Sequence, residues 1–226
     1  MKNQKTLDPR FRGDDKLCSL NGLYAIADSN WNPFGDLTTL VQKFLAGGCR
    51  LIQLRMKNST ANGIFPIAKK ISLLKKETNF TFIINDHVDI AMEVGADGVH
   101  VGEHDEKISA IQKRVGNKLI IGYSSHSLKE GKEAEENGAD YVAFGAIFPT
   151  KTKGPGHPVQ GLERLKQLTS VIKIPVAAIG GINRTNFQNV IDAGANAVAI
   201  ITALTQAKDV EEETRWFINK WKPKSF

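Results

Sequence analysis

Eight short β-rich runs alternate with helix-patterned segments along most of this chain, and the alternation restricts the fold more than any single motif does. The runs fall near residues 22–27, 50–56, 81–86, 98–102, 119–124, 141–148, 175–181 and 197–204. Between them apolar residues recur at helical spacing, as in Ile64, Ile67, Ala68, Ile71 and Leu74, or Ile108, Ile111 and Val115. Eight strand-helix units in one chain predict an α/β fold, a single-domain (β/α)8 TIM barrel with its helices outside, over residues 22–226. The even-numbered runs share a lead-in: Ala46-Gly47-Gly48-Cys49, Gly95-Ala96-Asp97, Gly138-Ala139-Asp140 and Gly194-Ala195-Asn196. Each places a glycine where a helix stops in the left-handed conformation before the chain re-enters the sheet. The unequal spacing of this echo marks a barrel built of two-unit quarters, not a solenoid. A doubly wound open sheet is the other arrangement the alternation allows, but the repeat gives no reason to expect its strand order.

At 226 residues the chain suits one such barrel. A net charge of +6, from 30 basic and 24 acidic residues, is dispersed apart from Lys220, Lys222 and Lys224. That fits small anionic ligands and falls short of a nucleic-acid footprint. Cys18 and Cys49 have no metal-ligand or CxxC spacing and read as free thiols of a reducing cytoplasm. No apolar stretch reaches the roughly 18 residues of a membrane span. The first 21 residues lack the apolar core of a signal peptide and read as a disordered extension. The expectation is therefore a cytoplasmic enzyme without nucleic-acid or membrane partners; a homo-oligomer is compatible with these features.

Charge gathers at the strand exits, which in a barrel converge on one face. Gln53, Arg55 and Lys57 end the second run at a spacing that turns all three toward one side, suited to a multidentate anion such as pyrophosphate. The third run ends in Asn85-Asp86 and the fourth leads to Asp105; two carboxylates beside a pyrophosphate site suggest Mg²⁺. Asp105 equally suits a cap on the following helix. Phe148-Pro149-Thr150-Lys151-Thr152-Lys153 puts two hydroxyls and two ammonium groups at the sixth exit, before the flexible Gly154-Pro155-Gly156-His157-Pro158. Taken alone it fits an anion site or a solvated lysine loop; its basic and acidic partners at the other exits favour the anion site. Gly180-Gly181 and Ile201-Thr202 end the last two runs, where this fold often holds a phosphate. Among the histidines, His100 reads as a hydrogen-bonded core residue. His126, in Ser124-Ser125-His126-Ser127, suits proton exchange with a ligand or a helix cap.

These motifs resemble the thiamine-phosphate synthase (thiamine-phosphate pyrophosphorylase) family over nearly all of residues 22–220. The resemblance rests on QLRMK, INDH, GVHVGEHD, GYSSH, GADYVAFGAIFPTKTK, AIGGI and AIIT, in that family's order. It implies a (β/α)8 barrel that joins 4-amino-2-methyl-5-(diphosphooxymethyl)pyrimidine to 4-methyl-5-(2-phosphooxyethyl)thiazole and releases pyrophosphate with Mg²⁺. By motif, Gln53, Arg55, Lys57, Asn85, Ser124 and Lys153 would hold the pyrimidine diphosphate, with Asp86 and Asp105 on Mg²⁺. Thr150, Thr152, Gly181 and the Ile201-Thr202 backbone would hold the thiazole phosphate. Glu103 and Thr202 stand where the family usually has Gln and Ser, and the LDPRFRGDD extension has no counterpart in the family core. Two alternatives share the barrel: a thiazole tautomerase, in which His126 would be catalytic, and a non-catalytic barrel that binds thiamine precursors. The full set of charged strand-end residues argues against both.

Overall fold

The structure, a computed structural model, describes residues 20–152 and 158–222. Eight strands, β1 (Gly22–Asp28), β2 (Leu51–Arg55), β3 (Thr81–Asn85), β4 (Gly98–Val101), β5 (Ile120–Ser125), β6 (Tyr141–Gly145), β7 (Val176–Ile179) and β8 (Ala197–Ile200), are hydrogen-bonded in chain order. Every neighbouring pair is parallel, and β8 closes on β1. The helices between strands are α1 (Leu37–Ala46), α2 (Ala61–Leu73), α3 (Val88–Val94), α4 (Ile108–Val115), α5 (Leu128–Glu136), α6 (Gly161–Val171) and α7 (Phe187–Asp192). A four-residue α8 (Thr202–Thr205) and the longer α9 (Val210–Lys220) follow β8. This is the TIM barrel expected from the alternation, and no helix among the described residues is long and apolar enough to cross a membrane.

The strand alternation sorts two cores. Side chains such as Ile52, Leu54, Phe82, Ile84, Val99 and Ile121 point outward and bury themselves under the helices. Tyr24, Ile26, Leu51, Ile83, Ile120 and Tyr141 point inward with four alanines, and Leu20, inside the stretch 1–21 set aside above, is buried with them. Burying one large apolar side chain is worth about 1.5–3 kcal/mol, so both layers hold the strands in register. Interior space is tight: a Cβ on Gly122 would lie 2.1 Å from the Tyr141 ring.

The lead-in echo has a second role. Its glycines Gly48, Gly95, Gly138 and Gly194 all have positive φ, as expected. The polar residue that follows in three of the four accepts a backbone N–H from the preceding strand. Asp97 takes Phe82 N at 2.8 Å, Asp140 takes Ile121 N at 2.7 Å, and Asn196 takes Val176 N at 2.9 Å. Each stitches an odd strand to the start of the next even one, at the end opposite the strand exits.

Several strands are shorter than their apolar runs, the sixth and the eighth most of all. The sixth was expected to reach residue 148 but ends at Gly145; beyond it Ile147 N and Phe148 N still bond to Ile179 O and Gly180 O, at 2.9 and 3.0 Å. The eighth was expected to reach 204 but turns after Ile200 into α8, whose Leu204 and Thr205 N–H groups bond to Ile201 O. A short apolar run has no period that separates a strand from a buried helical turn.

Candidate active site

At the C-terminal ends of the strands a cleft opens into the barrel. Gln53 and Arg55 reach it from β2 because their alternation points both inward. Arg55 lies across the ladder from Asp28, the last residue of β1, and its guanidinium pairs with that fully buried carboxylate. Asp28 also accepts Asn30 N at 2.9 Å, which fixes its own position. A buried carboxylate is costly unless paired, so Asp28 and Arg55 hold one another. Asp28 was not singled out in the sequence, where a lone Asp after an apolar run reads as a turn residue. Lys57, two residues past the strand, places its Nζ 2.7 Å from Asp86 Oδ2.

Asn85 is nearly buried at the end of β3, and its Nδ2 has no hydrogen-bond partner although it borders the cleft. An unsatisfied buried amide costs about 1–3 kcal/mol, so it is a group prepared for a ligand. Asp86 follows with φ of 65°, a left-handed conformation uncommon for a residue with a side chain and frequent at functional sites. Asp105 comes within hydrogen-bonding reach of it, and Glu103 lines the same outer part of the cleft. Burial pushes the Asp86 carboxyl above its usual range; Lys57 opposes the shift and Asp105 adds to it. Asp105 does not cap the next helix: α4 begins after Lys107, and Asp105 Oδ2 instead accepts Gly102 N at 2.8 Å. Two facing carboxylates fit a divalent cation, and no cluster of three or more metal-ligating side chains exists among the described residues. The remaining ligands of such an ion would be water and substrate oxygens, as is usual for Mg²⁺.

The other wall comes from β6, β7 and β8. Thr150 and Thr152 bond to each other through their hydroxyls at 3.0 Å and border the cleft with Gly181, Ile201 and Thr202. Gly181 has φ of 66°, and a Cβ there would lie 2.5 Å from Pro149 O. Only glycine lets these two loops approach so closely. Lys153 and the glycines 154 and 156 lie outside the described residues.

Beneath the cleft runs a hydrogen-bonded line that the sequence did not suggest. Gln53 Nε2 donates to Tyr24 Oη at 2.6 Å, Tyr24 and Tyr141 share a bond at 2.8 Å, and Tyr141 meets His100 Nδ1 at 2.9 Å. His100 Nε2 then meets Ser124 Oγ at 2.9 Å. Burial pushes both phenols well above their ordinary range, so both are neutral. His100 is thus the hydrogen-bonded core residue expected, with the addition that it borders the cleft. His126 contacts Glu130 through both its backbone N–H, at 2.7 Å, and Nδ1, at 3.3 Å, while Ser127 caps α5 by accepting Glu130 N. Asp89 sits exposed in the first turn of α3 and pairs with Arg114.

Comparison with known proteins places this arrangement. Residues 23–204 match the family model described as thiamine monophosphate synthase. A thiamine-phosphate synthase of Nitrosospira multiformis is 40% identical over 95% of this chain and 94% of its own, and that of Pyrococcus furiosus is 41% identical over 85% and 90%. The solved structure of the thiamine phosphate pyrophosphorylase from Pyrococcus furiosus superposes with a TM-score of 0.81 at 38% identity, covering 90% of this chain and 98% of that one. The chain belongs to the thiamine monophosphate synthase family, and it is an enzyme of the transferase class.

Proposed function

We propose that this protein makes thiamine phosphate by joining the pyrimidinylmethyl group of 4-amino-2-methyl-5-(diphosphooxymethyl)pyrimidine to the ring nitrogen of 4-methyl-5-(2-phosphooxyethyl)thiazole, with release of pyrophosphate. The observation that carries the reading is that one cleft is bordered both by the cationic and amide side chains of β2 and β3 and by the glycine and threonine wall of β6 to β8. Two anionic substrates can therefore bind side by side, with their reacting atoms between.

The substitution is dissociative. The aminopyrimidine ring donates electron density to its exocyclic methylene as the C–O bond breaks, so the main task of the protein is to bind the charge growing on the departing pyrophosphate. Arg55, Lys57 and Lys153 do so, with the free Asn85 amide donating to an oxygen. Asp86 and Asp105 would hold Mg²⁺, which when bound supplies charge neutralisation at the phosphate oxygens. Thr150, Thr152, Gly181 and the Ile201-Thr202 backbone hold the thiazole phosphate and so aim the ring nitrogen at the methylene, which makes a protein nucleophile unnecessary. The apolar walls Ile26, Ala143, Ile179 and Ala199 keep water from capturing the methylene as an alcohol.

The test is to incubate purified protein with both precursors and to follow thiamine phosphate and pyrophosphate together. Equal release of the two, with neither formed when one precursor is omitted, is the expected result. Isomerisation of a thiazole phosphate without the pyrimidine, or binding without turnover, would replace this reading with one of the two alternatives.

A further inference from the structure

Five side chains from five strands form the line beneath the cleft, and four of them are buried: Tyr24 and Tyr141 are each 1% exposed, Gln53 2% and His100 6%, while Ser124 is half-buried at the cleft. The amide N–H at its start gives the line one direction in which every hydrogen meets an acceptor. Gln53 Nε2 donates to Tyr24 Oη; Tyr24 keeps its own hydrogen for its other partner, Tyr141 Oη. The Tyr141 hydrogen then goes to His100 Nδ1, which must be bare. With Nδ1 as the acceptor, the ring hydrogen sits on Nε2 and is donated to Ser124 Oγ. At the two ends of the line, Gln53 Oε1 is left as an acceptor and the Ser124 hydroxyl as a donor, and both residues border the cleft.

We propose that Tyr24, Tyr141 and His100 are positioning residues that set the polarity of the pyrimidine pocket, so that it selects a 4-aminopyrimidine over its 4-oxo counterpart. This rests on the synthase reading of the preceding subsection, taken with Gln53 and Ser124 bordering the same cleft as Arg55 and Asn85. The exocyclic amine donates to Gln53 Oε1, and a ring nitrogen accepts from Ser124. A 4-oxo ring would set its carbonyl oxygen against Gln53 Oε1 and a ring N–H against a hydroxyl already pointing its hydrogen outward. Accommodating it requires the amide to turn over and every bond of the line to reverse together. The amine is also the group that feeds electrons to the breaking C–O bond, so the line admits the ring that can react.

The test compares calorimetric affinities of the 4-amino-5-(diphosphooxymethyl)pyrimidine and its 4-oxo analogue for wild type, Tyr24→Phe and Tyr141→Phe, alongside ¹⁵N spectra of the histidine rings. Wild type should prefer the amine by at least about 10²-fold, since an acceptor set against an acceptor leaves two buried groups unpaired. Each phenylalanine variant should lose about tenfold or more of that preference, with unchanged affinity for the thiazole phosphate. His100 should carry its hydrogen on Nε2. Equal binding of the two pyrimidines by wild type would overturn the proposal, as would full preference in both folded variants or a hydrogen on Nδ1. If the variants do not fold, the wild-type preference and the His100 tautomer decide. Preference without product formation would retain this inference and sink the synthase reading; product without preference would do the reverse.

Discussion

The two ends of the barrel use the same kinds of side chain for opposite purposes. At the end where the strands begin, Asp97, Asp140 and Asn196 each accept a backbone N–H, Asp97 pairing with Lys75 as well, and the interior above them is apolar. At the end where the strands stop, Asn85 keeps an unused amide, Asp86 holds a left-handed backbone, and two carboxylates face each other across a charge-bearing cleft. Polar groups satisfied within the chain stabilise it; polar groups left with spare capacity are available to a ligand. The fold concentrates its satisfied interactions at one face and its strain at the other.

The largest effect that would sharpen this contrast is at Lys153. Lys153→Ala should lower kcat by about 10²- to 10³-fold with an unaltered Tm, the scale for one removed charge-stabilising donor; a loss below a few-fold in steady-state kinetics would take Lys153 out of the mechanism. Asp28→Asn unties Arg55 and should raise KM for the pyrimidine diphosphate by roughly tenfold or more while leaving KM for the thiazole phosphate alone, on the scale of one charge-assisted hydrogen bond at about 1.5–3 kcal/mol. Equal changes in both constants would mean that Asp28 serves only the fold. At the opposite end, Asp97→Ala strands Phe82 N and unpairs Lys75, and should cost about 1–3 kcal/mol in denaturant unfolding, with kcat of the folded protein retained. A variant that keeps its stability and loses turnover would break the division between the two ends.

The smallest effect concerns Asp86 in metal-free protein. Its carboxyl is raised by burial, so it binds a proton more tightly folded than unfolded, and the stability of the neutral form is lost as pH rises through the raised value. Asp86→Asn removes that loss and tolerates the left-handed backbone. Its unfolding free energy relative to wild type should therefore rise from acid to neutral pH, by no more than about 1 kcal/mol because Lys57 already offsets part of the charge. A variant that falls further below wild type toward neutral pH would show the carboxylate to be stabilising.

The strand exits were legible in the sequence because chemistry-bearing residues there interrupt apolar runs: Arg55, Asn85 and Thr150 all lie at the cleft where the alternation put them. What escaped notice were contacts that exist only once the barrel closes. Tyr24 and Tyr141 read as core aromatics within β-rich runs, and the bond between them joins residues 117 positions apart. Asp28 becomes informative only beside Arg55, across a ladder whose register no local pattern reveals. The glycines of the lead-in echo were readable as left-handed turns, whereas the role of Asp97, Asp140 and Asn196 depends on which backbone N–H lies opposite.

The most direct test of a metal-assisted synthase at the strand exits is thiamine phosphate formation by wild type and Asp86→Asn, each with Mg²⁺ and then with excess EDTA. The account predicts product for wild type with Mg²⁺, its loss on chelation and recovery on adding the ion back, and little product from the folded variant under either condition. Undiminished product in EDTA, or full activity of Asp86→Asn, would contradict it.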